Sequence, residues 1–104
     1  DIPFKDGFFD MVFTSGVLIH IAPQNLNDVL NEIHRCTKNY IFGFEYYSNE
    51  TEEIPYRDNR DLLWKANYAR KYIELFDDLS LVKEEHVRYL ENENIDSMFL
   101  LKKK

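Results

Sequence analysis

Glycine and cysteine are scarce in this sequence, and each scarcity excludes a class of site. The 104 residues include three glycines, which stand apart at positions 7, 16 and 43, so no G-x-G-x-x-G-like phosphate loop is present. Cys36 is the single cysteine, which excludes an internal disulfide and a zinc site built from cysteine pairs. The histidines lack metal-ligand spacing as well, so we predict no metal site.

Basic charge is also in short supply. Lysine and arginine number 13 against 19 acidic residues, for a formal net charge of −6. A nucleic-acid surface would need clustered basic residues, so we expect no nucleic-acid partner. Hydrophobic residues make up 44% and aromatic residues 15% of the chain, which is enough to build a core and is unlike a disordered segment.

Long apolar runs are missing from residues 1–104. No stretch has the length or continuity of a membrane-spanning helix, and no signal peptide is recognisable. We therefore expect a cytoplasmic protein without a membrane partner.

The most informative segment that is present runs from Phe9 to Ile21. An apolar stretch ends in three small residues, Thr14, Ser15 and Gly16, and a second apolar stretch then begins. This pattern predicts a buried strand that turns a tight corner into a helix. Ligands of open α/β sheets bind at the carboxyl ends of the strands, and small residues let a ligand approach the backbone there.

The remaining pattern predicts an α/β fold. Apolar residues at helical spacing indicate a helix over 23–36, and an aromatic-rich strand follows over 40–47, which completes a βαβ unit. A long polar loop is expected over 48–61 and a second helix over 65–76. Strands over 81–90 and 97–102 should form an antiparallel hairpin at the carboxyl end.

Two sequence blocks resemble a known family. Residues 1–21, DIPFKDGFFDMVFTSGVLIHI, resemble the middle of a class I S-adenosylmethionine-dependent methyltransferase. Residues 35–47, RCTKNYIFGFEYY, together with IPYR at 54–57, look like the subgroup called pseudaminic acid biosynthesis-associated methylases. The resemblance implies a partial Rossmann-like methyltransferase sheet. It also implies S-adenosylmethionine as cofactor and a small-molecule acceptor linked to sugar biosynthesis.

The resemblance also suggests which residues form the site. Thr14, Ser15, Gly16 and Val17 are the expected cofactor contacts at the end of the first strand. His20 lies just past the corner, where it could take a proton from an acceptor hydroxyl, although packing or capping is the plainer explanation for a lone histidine between isoleucines. For the acceptor we expect contacts from a loop and the strand before it, namely Glu45, Tyr47, Arg57 and Lys65.

Relatives of this kind begin with a glycine loop and a ribose-binding acid that have no counterpart here. We therefore interpret residues 1–104 as the carboxyl-terminal half of a methyltransferase domain, and we expect this half alone to be inactive. The strand near Met11–Phe13 should then have a bare apolar edge, which proteins avoid. A second copy or a neighbouring molecule is expected to cover it.

Two other functions remain open from the sequence. The chain could be a non-catalytic binding or assembly module that keeps the methyltransferase sheet without its cofactor site. It could also belong to another α/β enzyme that uses a nucleotide cofactor, although that alternative would require phosphate-binding signals.

Overall fold

The computed structural model describes residues 2–56, 61–92 and 94–104. Its main feature is a four-stranded sheet of order β1-β2-β6-β5, beside which a two-stranded sheet is formed by β3 and β4. The bounds of the strands are β1 Phe9–Ser15, β2 Thr37–Tyr46, β3 Glu52–Tyr56, β4 Asp61–Lys65, β5 Leu79–Arg88 and β6 Ile95–Lys103. The helices are a 3₁₀ helix Leu18–His20, α1 Pro23–Cys36 and α2 Tyr68–Leu75. The predicted α/β class with a terminal hairpin is confirmed.

The βαβ unit forms as the pattern predicts. β1 and β2 pair in parallel, and α1 connects them. α1 begins at Pro23, where the missing N–H of proline costs no hydrogen bond, and it buries Leu26, Leu30, Ile33 and Cys36. At its other end, the backbone N–H of Thr37 donates to the carbonyl of His34, and Lys103 Nζ donates to the same carbonyl at 2.8 Å. The ammonium group therefore lies at the negative end of the helix dipole, where a cation is stabilising.

The predicted loop over 48–61 is wrong, because β3 lies inside it and β4 begins at its last residue. These strands pair antiparallel, with Glu52 opposite Lys65 and Ile54 opposite Leu63. The many acidic residues suggested a solvated loop, yet acidic side chains are compatible with a strand that has one side in water. The second helix starts at Tyr68, later than the predicted residue 65, because Lys65 is the last residue of β4.

The sheet has two unlike faces. On one face, Ile41, Phe99 and Leu101 join the buried side chains of both α-helices in a single core cluster. Gly43 lies on this face, where the ring of Phe99 occupies the space that a β-carbon would need. On the other face, the side chains of Met11 and Phe13 are exposed and those of Phe42 and Leu100 are half-buried. The apolar core therefore lies between the sheet and the helices.

β1 forms one edge of the main sheet. Within the described part of the chain it pairs with β2 alone. The side chain of Phe13 is 65% exposed and that of Met11 is 49% exposed. The bare apolar edge predicted from the sequence is therefore present, while the copy or neighbour expected to cover it stays a prediction.

Candidate functional site

The corner after β1 brings open backbone to the carboxyl end of the sheet. Gly16 has φ +64°, a conformation that side-chain-bearing residues adopt only at a cost. No atom beyond its two chain neighbours lies within 4 Å of the position its β-carbon would take. Its N–H donates to the carbonyl of Phe44 in β2 at 3.0 Å. The main-chain turn is thus anchored to the neighbouring strand while its outer side stays accessible.

Glu45 forms hydrogen bonds with the backbone that follows Gly16. The side chain is 1% exposed, and its carboxylate accepts hydrogen bonds from the backbone N–H groups of Val17 at 3.3 Å and Leu18 at 3.1 Å. These donors lie at the start of the 3₁₀ helix, where the backbone has no internal acceptor. Burial raises the pKa of the Glu45 carboxyl, whereas the Thr14 hydroxyl and these N–H groups oppose that rise.

A cavity of about 210 Å³ opens beside this corner, at the carboxyl ends of β1 and β2. Such a position is where open α/β sheets bind ligands. The volume is below the roughly 300–1,000 Å³ of complete small-molecule pockets, so it suits one end of a ligand. The lining residues come from β1, β2, β4, the 3₁₀ helix and the terminal hairpin: Ser15, Gly16, Ile19, His20, Phe44, Glu45, Tyr46, Leu63, Tyr89 and Asp96.

The predicted cofactor contacts divide between the cavity and its support. Ser15 and Gly16 line the cavity. Thr14 is buried on the helix-covered side of the sheet, and the exposed Val17 contributes its N–H to Glu45. His20, the predicted base, lines the cavity at the end of the 3₁₀ helix, where its N–H donates to the carbonyl of Val17 at 3.1 Å.

The predicted acceptor contacts are not brought together as a set. Glu45 lines the cavity, but Tyr47 lies outside its lining, with its ring centroid 4.0 Å from that of His86. Lys65 Nζ donates to the side-chain oxygen of Asn94 and lies 5.8 Å from the centroid of the Tyr46 ring. Arg57 lies outside the described residues.

Several cavity residues escaped the sequence analysis. Tyr46 is the last residue of β2 and lies between the predicted contacts Glu45 and Tyr47. Alternation along the strand places its side chain on the face opposite to that of Glu45. Asp96 is the second residue of β6 and pairs with Tyr46 across the sheet. Topology could have identified Asp96. A hairpin strand that runs antiparallel to β2 begins beside the carboxyl end of β2, so its first residues lie next to the cavity.

Two absences hold for the described residues alone. Neither α1 nor α2 has the length and apolar character needed to cross a bilayer. In the same part of the chain, no group of three or more His, Cys, Asp or Glu side chains is arranged to hold a metal ion.

The comparison with protein families matches the segment that contains the corner. Residues 1–42 match a family model described as a methyltransferase domain. No curated protein matches the chain.

Solved structures share the fold at low sequence identity. The Burkholderia thailandensis 1,6-didemethyltoxoflavin-N1-methyltransferase, solved with 1,6-didemethyltoxoflavin and S-adenosylhomocysteine bound, is 13% identical with a TM-score of 0.79. The match covers 99% of this chain and 47% of that one. The PH0226 protein of Pyrococcus horikoshii is 16% identical with a TM-score of 0.69, over 100% of this chain and 56% of that one.

A third structure, a SAM-dependent methyltransferase from Leishmania major, is 13% identical with a TM-score of 0.63 and covers 91% of this chain and 39% of its own. The chain thus spans about half the length of the solved structures it matches. The matched segment and the shared fold support the resemblance to class I methyltransferases.

Proposed function

We propose that this chain is part of an S-adenosylmethionine-dependent methyltransferase that acts on a small molecule. The observation that carries the proposal is the open backbone of Ser15 and Gly16 at the cavity mouth, inside the segment that matches the methyltransferase model. The Burkholderia relative, which shares the fold, holds a product of the same cofactor. A small cavity suits one part of that cofactor together with the reacting end of an acceptor.

The residues of this chain would mainly hold the cofactor and the acceptor in the right positions, with little direct participation in the chemical step. When bound, S-adenosylmethionine supplies a methyl group on a sulfonium sulfur, which is a good leaving group. Ser15 and Gly16 would hold its amino-acid end, and alignment of the reacting groups can contribute on the order of 7–11 kcal/mol at best. His20 lines the same cavity and would take the proton that an acceptor hydroxyl or amine releases.

We further propose that the acceptor is a sugar or an intermediate of sugar biosynthesis. The support is the resemblance of residues 35–47 and 54–57 to pseudaminic acid biosynthesis-associated methylases, together with the aromatic side chains of Phe44 and Tyr46 in the cavity. Glu45, Tyr47, Arg57 and Lys65 remain the predicted acceptor contacts. A cytoplasmic location likewise stays a prediction.

The sharpest test uses the protein with its upstream half and compares two glycines. Gly7 and Gly16 both have positive φ, near +61° and +64°, and both have free space where a β-carbon would go. An alanine at either position therefore meets the same backbone strain, but Gly16 alone lines the cavity. We expect Gly16→Ala to weaken the binding of S-adenosylhomocysteine at least tenfold in calorimetric titration, and Gly7→Ala to leave it unchanged.

Two outcomes of that titration would count against the proposal. Failure of the unaltered longer protein to bind S-adenosylhomocysteine would favour the non-catalytic module. An equal effect of both alanine variants would remove the corner from the cofactor site.

We also expect residues 1–104 alone to bind the cofactor weakly or not at all, and micromolar binding by this segment would contradict that expectation.

A further inference from the structure

The charge and shape of the cavity restrict what can enter it. Two of its lining residues, Glu45 and Asp96, carry carboxylates, and the described lining includes no lysine or arginine. Glu45 already accepts backbone hydrogen bonds from Val17 and Leu18. Asp96 therefore is the carboxylate that remains for a ligand.

Asp96 is held rigidly at the cavity wall. Its side chain is 7% exposed, and the residue pairs with Tyr46 on one side and Val87 on the other within the main sheet. The hydroxyl of Tyr89 hydrogen-bonds to Asp96, which raises the pKa of that phenol. A carboxylate offers about four acceptor sites, so the Tyr89 hydroxyl uses a part of that capacity.

Two aromatic residues are close neighbours of this carboxylate: Tyr46 pairs with Asp96 across the sheet, and Tyr89 hydrogen-bonds to it. The rings of Tyr46 and Tyr89 meet edge to face, with centroids 6.2 Å apart and planes at 71°. Phe44 adds a third ring to the cavity wall. Flat apolar walls with one fixed hydrogen-bond acceptor fit a ring that carries hydroxyl or amino groups. An anionic group would face the Asp96 carboxylate and be repelled.

We propose that Asp96, Tyr46 and Tyr89 form the acceptor subsite, and that the part of the acceptor entering it is neutral or cationic and donates a hydrogen bond to Asp96. This inference rests on the proposed methyl-transfer function and specifies its substrate class. Asp96 is therefore a specificity-determining residue, distinct from the predicted contacts Tyr47 and Lys65.

The test compares three sugars that share one ring but differ in charge. Methyl glucoside is neutral, glucosamine is cationic and glucuronate is anionic. Each is titrated by NMR into the longer protein that includes residues 1–104, with and without S-adenosylhomocysteine. We expect glucuronate to bind at least tenfold more weakly than the other two. Asp96→Asn should reduce that difference severalfold, whereas Asp77→Asn, an equal charge change at an exposed turn residue, should leave it unchanged.

The outcomes separate this inference from the proposed function. S-adenosylhomocysteine binding combined with equal or tighter binding of glucuronate would overturn the acceptor subsite and leave the methyltransferase proposal intact. The acceptor subsite is likewise overturned if no sugar binds, or if Asp77→Asn acts as strongly as Asp96→Asn. If S-adenosylhomocysteine does not bind but glucuronate still binds more weakly than the other two sugars, the methyltransferase proposal fails. The cavity then remains a site for neutral or cationic ligands. Retained S-adenosylhomocysteine affinity in Asp96→Asn shows that the variant is folded.

Discussion

The carboxylate of Glu45 in β2 accepts a hydrogen bond from the backbone N–H of Leu18 at 3.1 Å, which ties the corner after β1 to the neighbouring strand. Leu18 is fully buried and begins the 3₁₀ helix that ends at His20. The placement of His20 at the cavity thus depends on a side chain that lies 27 residues from Leu18 in sequence. Glu45 links the parallel strand pair to the site.

Substitution of Glu45 should therefore loosen the corner. Glu45→Ala leaves the N–H groups of Val17 and Leu18 without their acceptor. Leu18 is fully buried, and an orphaned buried donor costs about 1–3 kcal/mol, whereas the N–H of the exposed Val17 can turn to water at a smaller cost. Glu45→Gln keeps one oxygen and should cost about 1 kcal/mol. Urea unfolding measures both losses. In the longer protein we expect S-adenosylhomocysteine affinity to fall in the same order, and an alanine variant as stable as the unaltered chain would contradict this role.

The contact between Gly43 and Phe99 gives a second prediction. A β-carbon on Gly43 would lie 2.1 Å from the tip of the Phe99 ring, and that ring is 1% exposed, so it has little room to move. Overpacking of this kind costs about 1–3 kcal/mol, which we expect for Gly43→Ala. A smaller side chain at position 99 should relieve the clash.

The control is a double-mutant cycle with Phe99→Leu. We expect Gly43→Ala to cost less in the Phe99→Leu background than in the unaltered chain, with a coupling of at least about 0.5 kcal/mol. Additive losses in thermal or urea unfolding would show that the two residues are energetically independent, contrary to the close approach of the ring.

Local patterns predicted the elements that have one dominant signal. The apolar stripe and Pro23 fixed α1 at Pro23–Cys36, because helical spacing and a proline at the first turn reinforce each other. The strand and corner over β1 followed from an apolar run that ends in Thr14, Ser15 and Gly16. In α1, local propensity and tertiary packing favour the same structure. The predicted burial of β1 is wrong, because the strand lies at the sheet edge, where Met11 and Phe13 are exposed and Thr14 alone is buried.

The site could be predicted only in part, since it depends on contacts distant in sequence. Ser15, Gly16 and His20 line the cavity as one local segment, from the end of β1 to the end of the 3₁₀ helix, while their cofactor and acceptor roles stay predictions. Asp96 and Tyr89 reach the cavity because β6 pairs with β2 and β5 pairs with β6, and the sequence alone did not choose this strand order. The hairpin of β3 and β4 was missed because its acidic residues resemble those of a solvated loop.

Tyr72 provides a third prediction, in which a substitution should not harm stability. Its side chain is fully buried, and within the described residues its hydroxyl has no hydrogen-bond partner. An unpaired buried hydroxyl costs free energy, so Tyr72→Phe should be neutral or stabilise the chain by up to about 1 kcal/mol. Tyr68→Phe is the matched control, because the Tyr68 hydroxyl donates to the carbonyl of Trp64 at 3.0 Å and its loss should destabilise.

Urea midpoints of the two variants decide this case. A clear loss of stability in Tyr72→Phe would mean that its hydroxyl is satisfied, for example by a buried water. Burial and the nearby charge of Glu45 both raise the pKa of Tyr72, so the phenol is protonated at the neutral pH of this comparison.

The exposed edge of β1 leads to a fourth prediction, on self-association. Phe13 and Met11 lie on a strand that pairs with β2 alone in the described part of the chain. Unpaired apolar edges recruit other strands, so residues 1–104 should elute from a sizing column as a dimer or larger species. Phe13→Lys places a charge on this edge and should shift the elution towards monomer. Leu75→Lys, at an exposed apolar position at the end of α2 and not on a sheet edge, should not. A monomeric unaltered chain would contradict the prediction.

The ion pair of Arg35 and Glu32 yields the last prediction, a dependence on pH. Hydrogen bonds from Arg35 and from the backbone N–H of Ile2 lower the pKa of Glu32 to about 2. Because the folded-state pKa lies below the ordinary value near 4.5, the stabilisation is present above that value and is lost as pH falls towards 2. The stability difference between the unaltered chain and Glu32→Gln should therefore shrink between pH 6 and pH 3.

Asp28→Asn, at an exposed acid on the same helix, provides the reference for that measurement. Its stability difference from the unaltered chain should change less over the same interval, since no cation holds Asp28 as Arg35 holds Glu32 through two hydrogen bonds at 3.0 Å in the described structure.

Arg35 also donates to the carbonyls of Ile2 and Phe4, so Arg35→Gln should release the segment before β1 as well. Faster amide hydrogen exchange at Gly7, whose N–H donates to the Arg35 carbonyl, would report that release, and unchanged exchange would oppose it.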